Sequence, residues 1–122
     1  MNEADIQKLL QEANDLVPRL SFEEAKNIIS TKNTLIIDVR ETFEIEATGL
    51  IKNAVNIPKS VIDANFDHSL IMKHLDNNED INILVYCAVG IRSALVGHAL
   101  LNQGYKNIFN LGGYAEWLEN NK

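Results

Sequence analysis

The sequence predicts one α/β domain in which a mostly parallel sheet is covered by helices on both faces. Predicted strands alternate with predicted helices along the chain, which is typical of this class. The predicted strands are also apolar throughout, as expected for strands buried on both faces. Finally, 122 residues are enough for one domain with its own core and leave little room for a second.

Two helices are predicted before the first strand. Apolar residues recur at helical spacing over residues 3–16, and Pro18 ends that segment. Ser21 and Glu24 then form a capping box, which predicts a second helix from about Phe22 to Ser30.

The sequence predicts an N-terminal extension that precedes the main domain. We treat residues 1–17 as a helical extension and residues 18–122 as the domain proper. The apolar stripe of the extension predicts packing against its own domain, because a helix must bury such a face. The alternative is a contact with a second copy or with a partner, and the oligomeric state stays open.

Short apolar runs rich in β-branched residues predict the strands. Each run is too short for a helix and is bounded by polar residues, glycine or proline. The predicted strands are Thr34 to Val39, Ala54 to Ile57, Ile81 to Cys87 and Asn107 to Leu111.

Helices are predicted in the connections between these strands. We expect one or two short helices over residues 60–76, with Asp67 as a candidate N-cap, and a polar loop at residues 77–80. Another helix is predicted from Ser93 to about Gln103. Gly112-Gly113 should break the last strand before a terminal helix.

Charge and composition exclude several classes of function. The net charge of −6 disfavours binding to nucleic acid or to an anionic membrane surface. The N-terminus has acidic residues where a signal peptide has basic ones, and no apolar stretch approaches the ~20 residues of a membrane span. We therefore expect a cytoplasmic protein. The three histidines show no metal-ligand spacing with one another or with the cysteine, so we expect no metal and no cofactor.

Cys87 is the single cysteine and ends the strongest predicted strand. In a parallel sheet, ligand chemistry lies beyond the carboxyl ends of the strands. A short loop with Gly90 and Arg92 follows, and then a helix begins. Loop amides, the helix dipole and the arginine all favour a thiolate, which would make this sulfur a nucleophile. A buried cysteine can also be an ordinary core residue, and the spacing alone leaves both interpretations open.

Three further segments accompany the cysteine loop in a specific order. They are Leu35-Ile36-Ile37-Asp38-Val39-Arg40-Glu41, the stretch from Gly49 to Pro58, and Leu111-Gly112-Gly113-Tyr114-Ala115-Glu116-Trp117. With the loop from Cys87 to Ser93, the chain resembles the rhodanese homology domain over roughly residues 20 to 119. The resemblance implies a single domain with a central sheet of about five strands.

The resemblance also implies sulfur transfer. The thiolate of Cys87 would take a sulfane sulfur as a persulfide and pass it to a thiol or to cyanide. The donor would be a small sulfane-sulfur compound or a protein persulfide. The loop amides would stabilise both anionic states, and no cofactor would be needed. These amides belong to Ala88, Val89, Gly90, Ile91 and Arg92.

Two other functions remain as alternatives. The chief alternative is a rhodanese-like binding or regulatory module without turnover. A cysteine-dependent phosphatase ranks below both the sulfurtransferase and the binding module. Four residues separate Cys87 from Arg92, whereas the related phosphatases have five and thus a wider cradle.

Several other residues have assigned roles. The same resemblance implies that Asp38 and Arg92 pair and support the loop together with Ser93, with direct anion binding by Arg92 as the alternative. Because they follow a strand end, Arg40 and Glu41 could line the mouth of the site, with a solvated surface pair as the alternative. The loop side chains are apolar rather than basic, so we expect thiosulfate to be a poor donor. We expect Tyr86 to be a core residue and Gly112 and Gly113 to serve backbone geometry.

Overall fold

The computed structural model describes residues 2–30, 33–75 and 80–121, so most of the loop expected at residues 77–80 lies outside the described residues. In the described part of the chain, no helix is long and apolar enough to cross a membrane. The elements in order are α1 (Glu3–Leu16), α2 (Phe22–Ser30), β1 (Thr34–Asp38), α3 (Thr42–Thr48), β2 (Ala54–Asn56), α4 (Lys59–Ala64), α5 (Ser69–Met72), β3 (Asn82–Cys87), α6 (Ile91–Asn102), β4 (Ile108–Gly113) and α7 (Tyr114–Asn120).

The sheet is parallel throughout and has the strand order β2-β1-β3-β4. The α/β class and the parallel sheet are confirmed, but the described residues form four strands rather than about five. A fifth is only begun: Arg19 makes an isolated bridge to Asn110. Pro18 has no N–H to donate, and the chain enters α2 immediately afterwards, so the pairing cannot extend.

The two faces of the sheet bury separate apolar clusters. Alternate residues of β1 point to opposite faces, with Ile37 in one cluster and Ile36 in the other. The first cluster also contains Cys87 and residues of α4, α5 and α6, whereas the second contains Tyr86 and residues of α2 and α7. Burial on both faces explains why the strands read as continuous apolar runs.

The N-terminal helix packs against α6. Ala13 and Val17 are buried, and Val17 belongs to the first apolar cluster. A Cβ on Gly97 would lie only 2.9 Å from the Val17 side chain, so the glycine permits this close approach. The start of α1 is stabilised by a capping box in which the Asn2 side chain accepts the Asp5 N–H.

Three local features differ from the sequence prediction. Helix α3 was not predicted, because seven residues are too few to show a clear apolar period. Helix α6 begins at Ile91, two residues before the predicted start at Ser93. Strand β4 continues through Gly113, where we expected the glycines to break it, because a register shift next to Val85 lets Gly112 pair with Tyr86.

Candidate active site

Cys87 lies at the carboxyl end of β3, where a tight loop leads into α6. Its side chain follows Ile83 and Val85 on the face covered by α6, and the residue is fully buried. Gly90 turns the loop with a left-handed φ of 96°, a conformation that glycine adopts without strain. The loop therefore folds back over the sulfur, and its backbone amides can approach the Sγ atom.

Hydrogen-bond donors converge on the Cys87 sulfur. The Gly90 N–H donates to Sγ at 3.0 Å, the Ser93 N–H lies at 3.4 Å, and the Ser93 Oγ also lies at 3.4 Å. Burial is the largest influence on the pKa of the Cys87 thiol and raises it. The Ser93 hydroxyl and the N–H groups of Ser93, Val89 and Gly90 oppose burial, and the net result is a pKa below the ordinary value.

Asn110, which the sequence analysis did not single out, ties this loop to the sheet. Its Nδ2 donates to the Gly90 carbonyl at 2.9 Å, and its Oδ1 accepts from the Ser93 hydroxyl at 2.8 Å and from the Gly112 N–H at 2.9 Å. Two of these partners also contact the Cys87 sulfur. A polar side chain in an otherwise apolar strand was the signal that could have identified it.

The predicted pairing of Asp38 with Arg92 is wrong. Asp38 instead binds Arg40, whose Nη2 lies 2.7 Å from Asp38 Oδ2 and whose Nε contacts both carboxylate oxygens. The reason is strand alternation: Asp38 shares the face of Ile36, whereas α6 and Arg92 lie over the opposite face.

Arg40 is likewise not at the mouth of the site. It is 3% exposed, and its guanidinium lies 5.8 Å from the ring centroid of Tyr86 and 4.3 Å from that of Tyr114. Such cation–π contacts and the Asp38 carboxylate together hold the cation in a buried position. Tyr86 is buried as predicted, and its hydroxyl accepts the Ile51 N–H at 3.0 Å.

Arg92 is held by Glu44 of the unpredicted helix α3. Two hydrogen bonds of 2.7 and 2.9 Å join the guanidinium to the carboxylate. This pairing is the main cause that lowers the pKa of Glu44 to about 2. Glu41 is partly exposed and accepts from the Ser60 N–H and hydroxyl. Its charge also acts on Arg92.

Backbone conformation or packing requires glycine at three positions around the loop. Gly90 and Gly112 have φ values of 96° and 99°, which other residues adopt only with strain. A Cβ on Gly113 would lie 2.5 Å from the carbonyl oxygen of Ala88. The expectation that Gly112 and Gly113 serve backbone geometry therefore agrees with the structure.

The arrangement presents one buried sulfur with several inward-pointing amides, which suits an anionic nucleophile and an anionic product. A cleft of about 410 Å³ lies elsewhere, at the opposite end of the sheet, and is lined by Ile81 and Ile83 near the start of β3. Among the described residues, no group of three or more His, Cys, Asp or Glu side chains could hold a metal ion.

Comparison with known proteins gives matches of three kinds. A family model described as "Rhodanese-like domain" matches residues 21–120. A tRNA uridine(34) hydroxylase of Prochlorococcus marinus (strain MIT 9515) is 37% identical over an alignment of 101 positions that covers 75% of this chain and 30% of that protein. The chain spans less than a third of the length of this and two other curated relatives that it matches.

Two solved structures share the fold. A human single-domain sulfurtransferase superposes with a TM-score of 0.67 at 24% identity, covering 84% of this chain and 96% of that chain. A rhodanese-related protein from Thermoplasma volcanium superposes with a TM-score of 0.60 at 29% identity, covering 84% and 91% of the two chains.

Proposed function

The chain belongs to the rhodanese-like domain family, and on that premise we propose that it is a sulfurtransferase that carries a sulfane sulfur as a persulfide on Cys87. The observation that carries the proposal is the convergence of the Gly90 and Ser93 donors on one buried sulfur. An ordinary core cysteine needs no such donors, whereas a thiolate and a persulfide anion do.

The proposed loading step moves one sulfur atom without net redox change. The Cys87 thiolate attacks the outer sulfur of a donor, a new bond forms to Sγ, and the bond between the outer sulfur and the donor breaks. A persulfide donor leaves as a thiolate and takes up a proton, whereas thiosulfate leaves as sulfite. In the second step a thiolate or cyanide attacks the outer sulfur, and Cys87 returns to the thiolate.

Ser93 supports both states of the sulfur by rotating its hydroxyl. With a neutral thiol, the hydroxyl donates to Asn110 Oδ1 and its oxygen accepts from the thiol. With a thiolate or persulfide, the hydroxyl can turn and donate to sulfur. Asn110 Oδ1 keeps the Gly112 N–H as a partner, so the rotation leaves no buried acceptor unsatisfied.

A binding module without turnover is the second candidate. The observation that favours it is the coverage of the relatives named tRNA uridine(34) hydroxylase, in which the matching region is 27–30% of the protein. A domain that is one part of a longer protein can serve recognition alone. Such a module would take up no sulfur.

The test is an intact-mass measurement of the reduced protein after incubation with a sulfane-sulfur donor. We expect a gain of one sulfur atom that cyanide or excess thiol removes. Because Cys87 is the only cysteine in the chain, the Cys87→Ser variant is a clean control and should show no gain. Failure of thiosulfate and of organic persulfides alike to load Cys87 would contradict the proposal and favour the binding module.

A further inference from the structure

Exposed apolar side chains lie on and beside the Cys87 loop. Val89 is 66% exposed and Ile91 is 51% exposed, and the two residues flank Gly90 in the loop. Phe43 is 71% exposed and precedes Glu44, whose carboxylate holds Arg92 beside this loop. We call Phe43, Val89 and Ile91 the apolar rim. Apolar side chains that are grouped at a reactive centre and exposed to this degree mark a surface for contact with a partner.

Each of the three arginines of the chain forms an ion pair with a carboxylate. A second carboxylate, Glu41, also acts on Arg92, so the set formed by Arg92, Glu41 and Glu44 is net negative. The pairs are Arg92 with Glu44, Arg40 with Asp38, and Arg19 with Glu116.

These two features select against small dianions. A dianion such as thiosulfate would find no unpaired arginine here and would be repelled by the net negative charge of Arg92, Glu41 and Glu44. It is also too small to cover the apolar rim. A cysteine persulfide brings at most one charge to the loop amides, on a flexible stem that can reach a buried sulfur. The segment that bears it can cover the rim, and a basic residue on that segment would complement the Glu41 carboxylate.

We propose, on the basis of the proposed function, that the sulfur donor of Cys87 is a cysteine persulfide borne by a partner protein, within a segment that has apolar flanks and a basic residue. The protonated persulfide of the donor is attacked at its outer sulfur, so the bond between the two donor sulfurs breaks. The partner cysteine leaves as a thiolate, and the transferred persulfide on Cys87 loses its proton to solvent. No oxidant or reductant is consumed.

The test compares loading rates of Cys87 by intact mass with four donors. These are thiosulfate, glutathione persulfide, a short peptide whose persulfidated cysteine is flanked by leucines and a lysine, and a matched peptide with serines and a glutamate. We expect the leucine–lysine peptide to load Cys87 about tenfold faster than the matched peptide, which is the effect of burying one apolar side chain. Thiosulfate should be the slowest donor.

One rim variant and one matched control sharpen the comparison. Val89→Lys places an unpaired cation on the rim, so it should raise the rate with thiosulfate and lower the rate with the leucine–lysine peptide. Met72→Lys adds the same charge at an exposed position that lines the cleft at the opposite end of the sheet, and it should change neither rate.

The outcomes separate this inference from the function on which it rests. Loading by thiosulfate as fast as by the leucine–lysine peptide would overturn the donor class and leave sulfur transfer intact. Equal rates with the two peptides would overturn it as well. No loading by any donor would overturn both the donor class and the proposed function.

Discussion

Two arginine–carboxylate pairs lie at the same end of the sheet and differ in burial. The Arg40–Asp38 pair is almost completely buried, with side-chain exposures of 4% and 0%. The Arg92–Glu44 pair is partly exposed, at 33% and 22%. A buried pair is costly to break because water cannot solvate the charge that remains, whereas an exposed pair contributes little to stability. The first pair therefore supports the fold, and the second sets the charge beside the reactive sulfur.

Removing the buried cation should have the largest effect. Arg40→Met leaves the Asp38 carboxylate buried without its partner, and the free energy of unfolding should fall by about 3–5 kcal/mol. Urea denaturation measures this loss. The double variant Asp38→Asn with Arg40→Met removes both charges and should recover part of the stability. If Arg40→Met lowered the free energy of unfolding by no more than a surface substitution does, the buried pair would not stabilise the fold.

The same substitution at the exposed pair should cost much less. Arg92→Met should lower the free energy of unfolding by about 1 kcal/mol or less, because solvent screens both partners. It should also let the pKa of Glu44 rise towards its ordinary range, since Arg92 is the main cause of the depression. Urea denaturation at neutral pH gives the first quantity, and NMR titration of the Glu44 side chain gives the second. A loss comparable to that of Arg40→Met would erase the contrast between the pairs.

The smallest effect is a pH dependence of the free energy of unfolding, which should be visible only in acid. The pKa of Glu44 is about 2 in the folded protein and near 4.5 ordinarily, so its ionised form favours the folded state. This contribution should be complete above the ordinary value and should be lost as pH falls towards about 2. The stability difference between the wild type and Glu44→Gln should therefore be constant near neutral pH and shrink in acid. A difference that stayed the same across the acid range would contradict the depressed pKa.

The contrast between the two ion pairs also shows how much of the fold and of the site could be predicted from the sequence. Apolar runs and capping residues predicted the parallel strands and most helices, because both signals are local. Helix α3 escaped prediction, and with it the partner of Arg92. Asp38 was assigned to the wrong arginine because the direction of a side chain at a strand end depends on which face the next helix covers. The loop from Cys87 to Ser93 was predicted because its signals, a strand end, a glycine and a helix start, lie within a few residues of one another.

Asn110 shows what resemblance to a family did not supply. Its three hydrogen bonds connect residues that are 17 and 20 positions away in one direction and 2 in the other. No regular sequence spacing predicts this set of hydrogen-bond partners, although a buried polar side chain is expected to have partners.

The most direct test of the central claim is a titration of the Cys87 thiol. The measurement is the ultraviolet absorbance of the thiolate as a function of pH, taken as the difference between the wild type and Cys87→Ser. The donors around the sulfur predict a thiol pKa below the ordinary value of 9.0, and Ser93→Ala should raise it because one donor is lost. A wild-type pKa at or above the ordinary value, unmoved by Ser93→Ala, would mean that the loop does not prepare this sulfur for transfer.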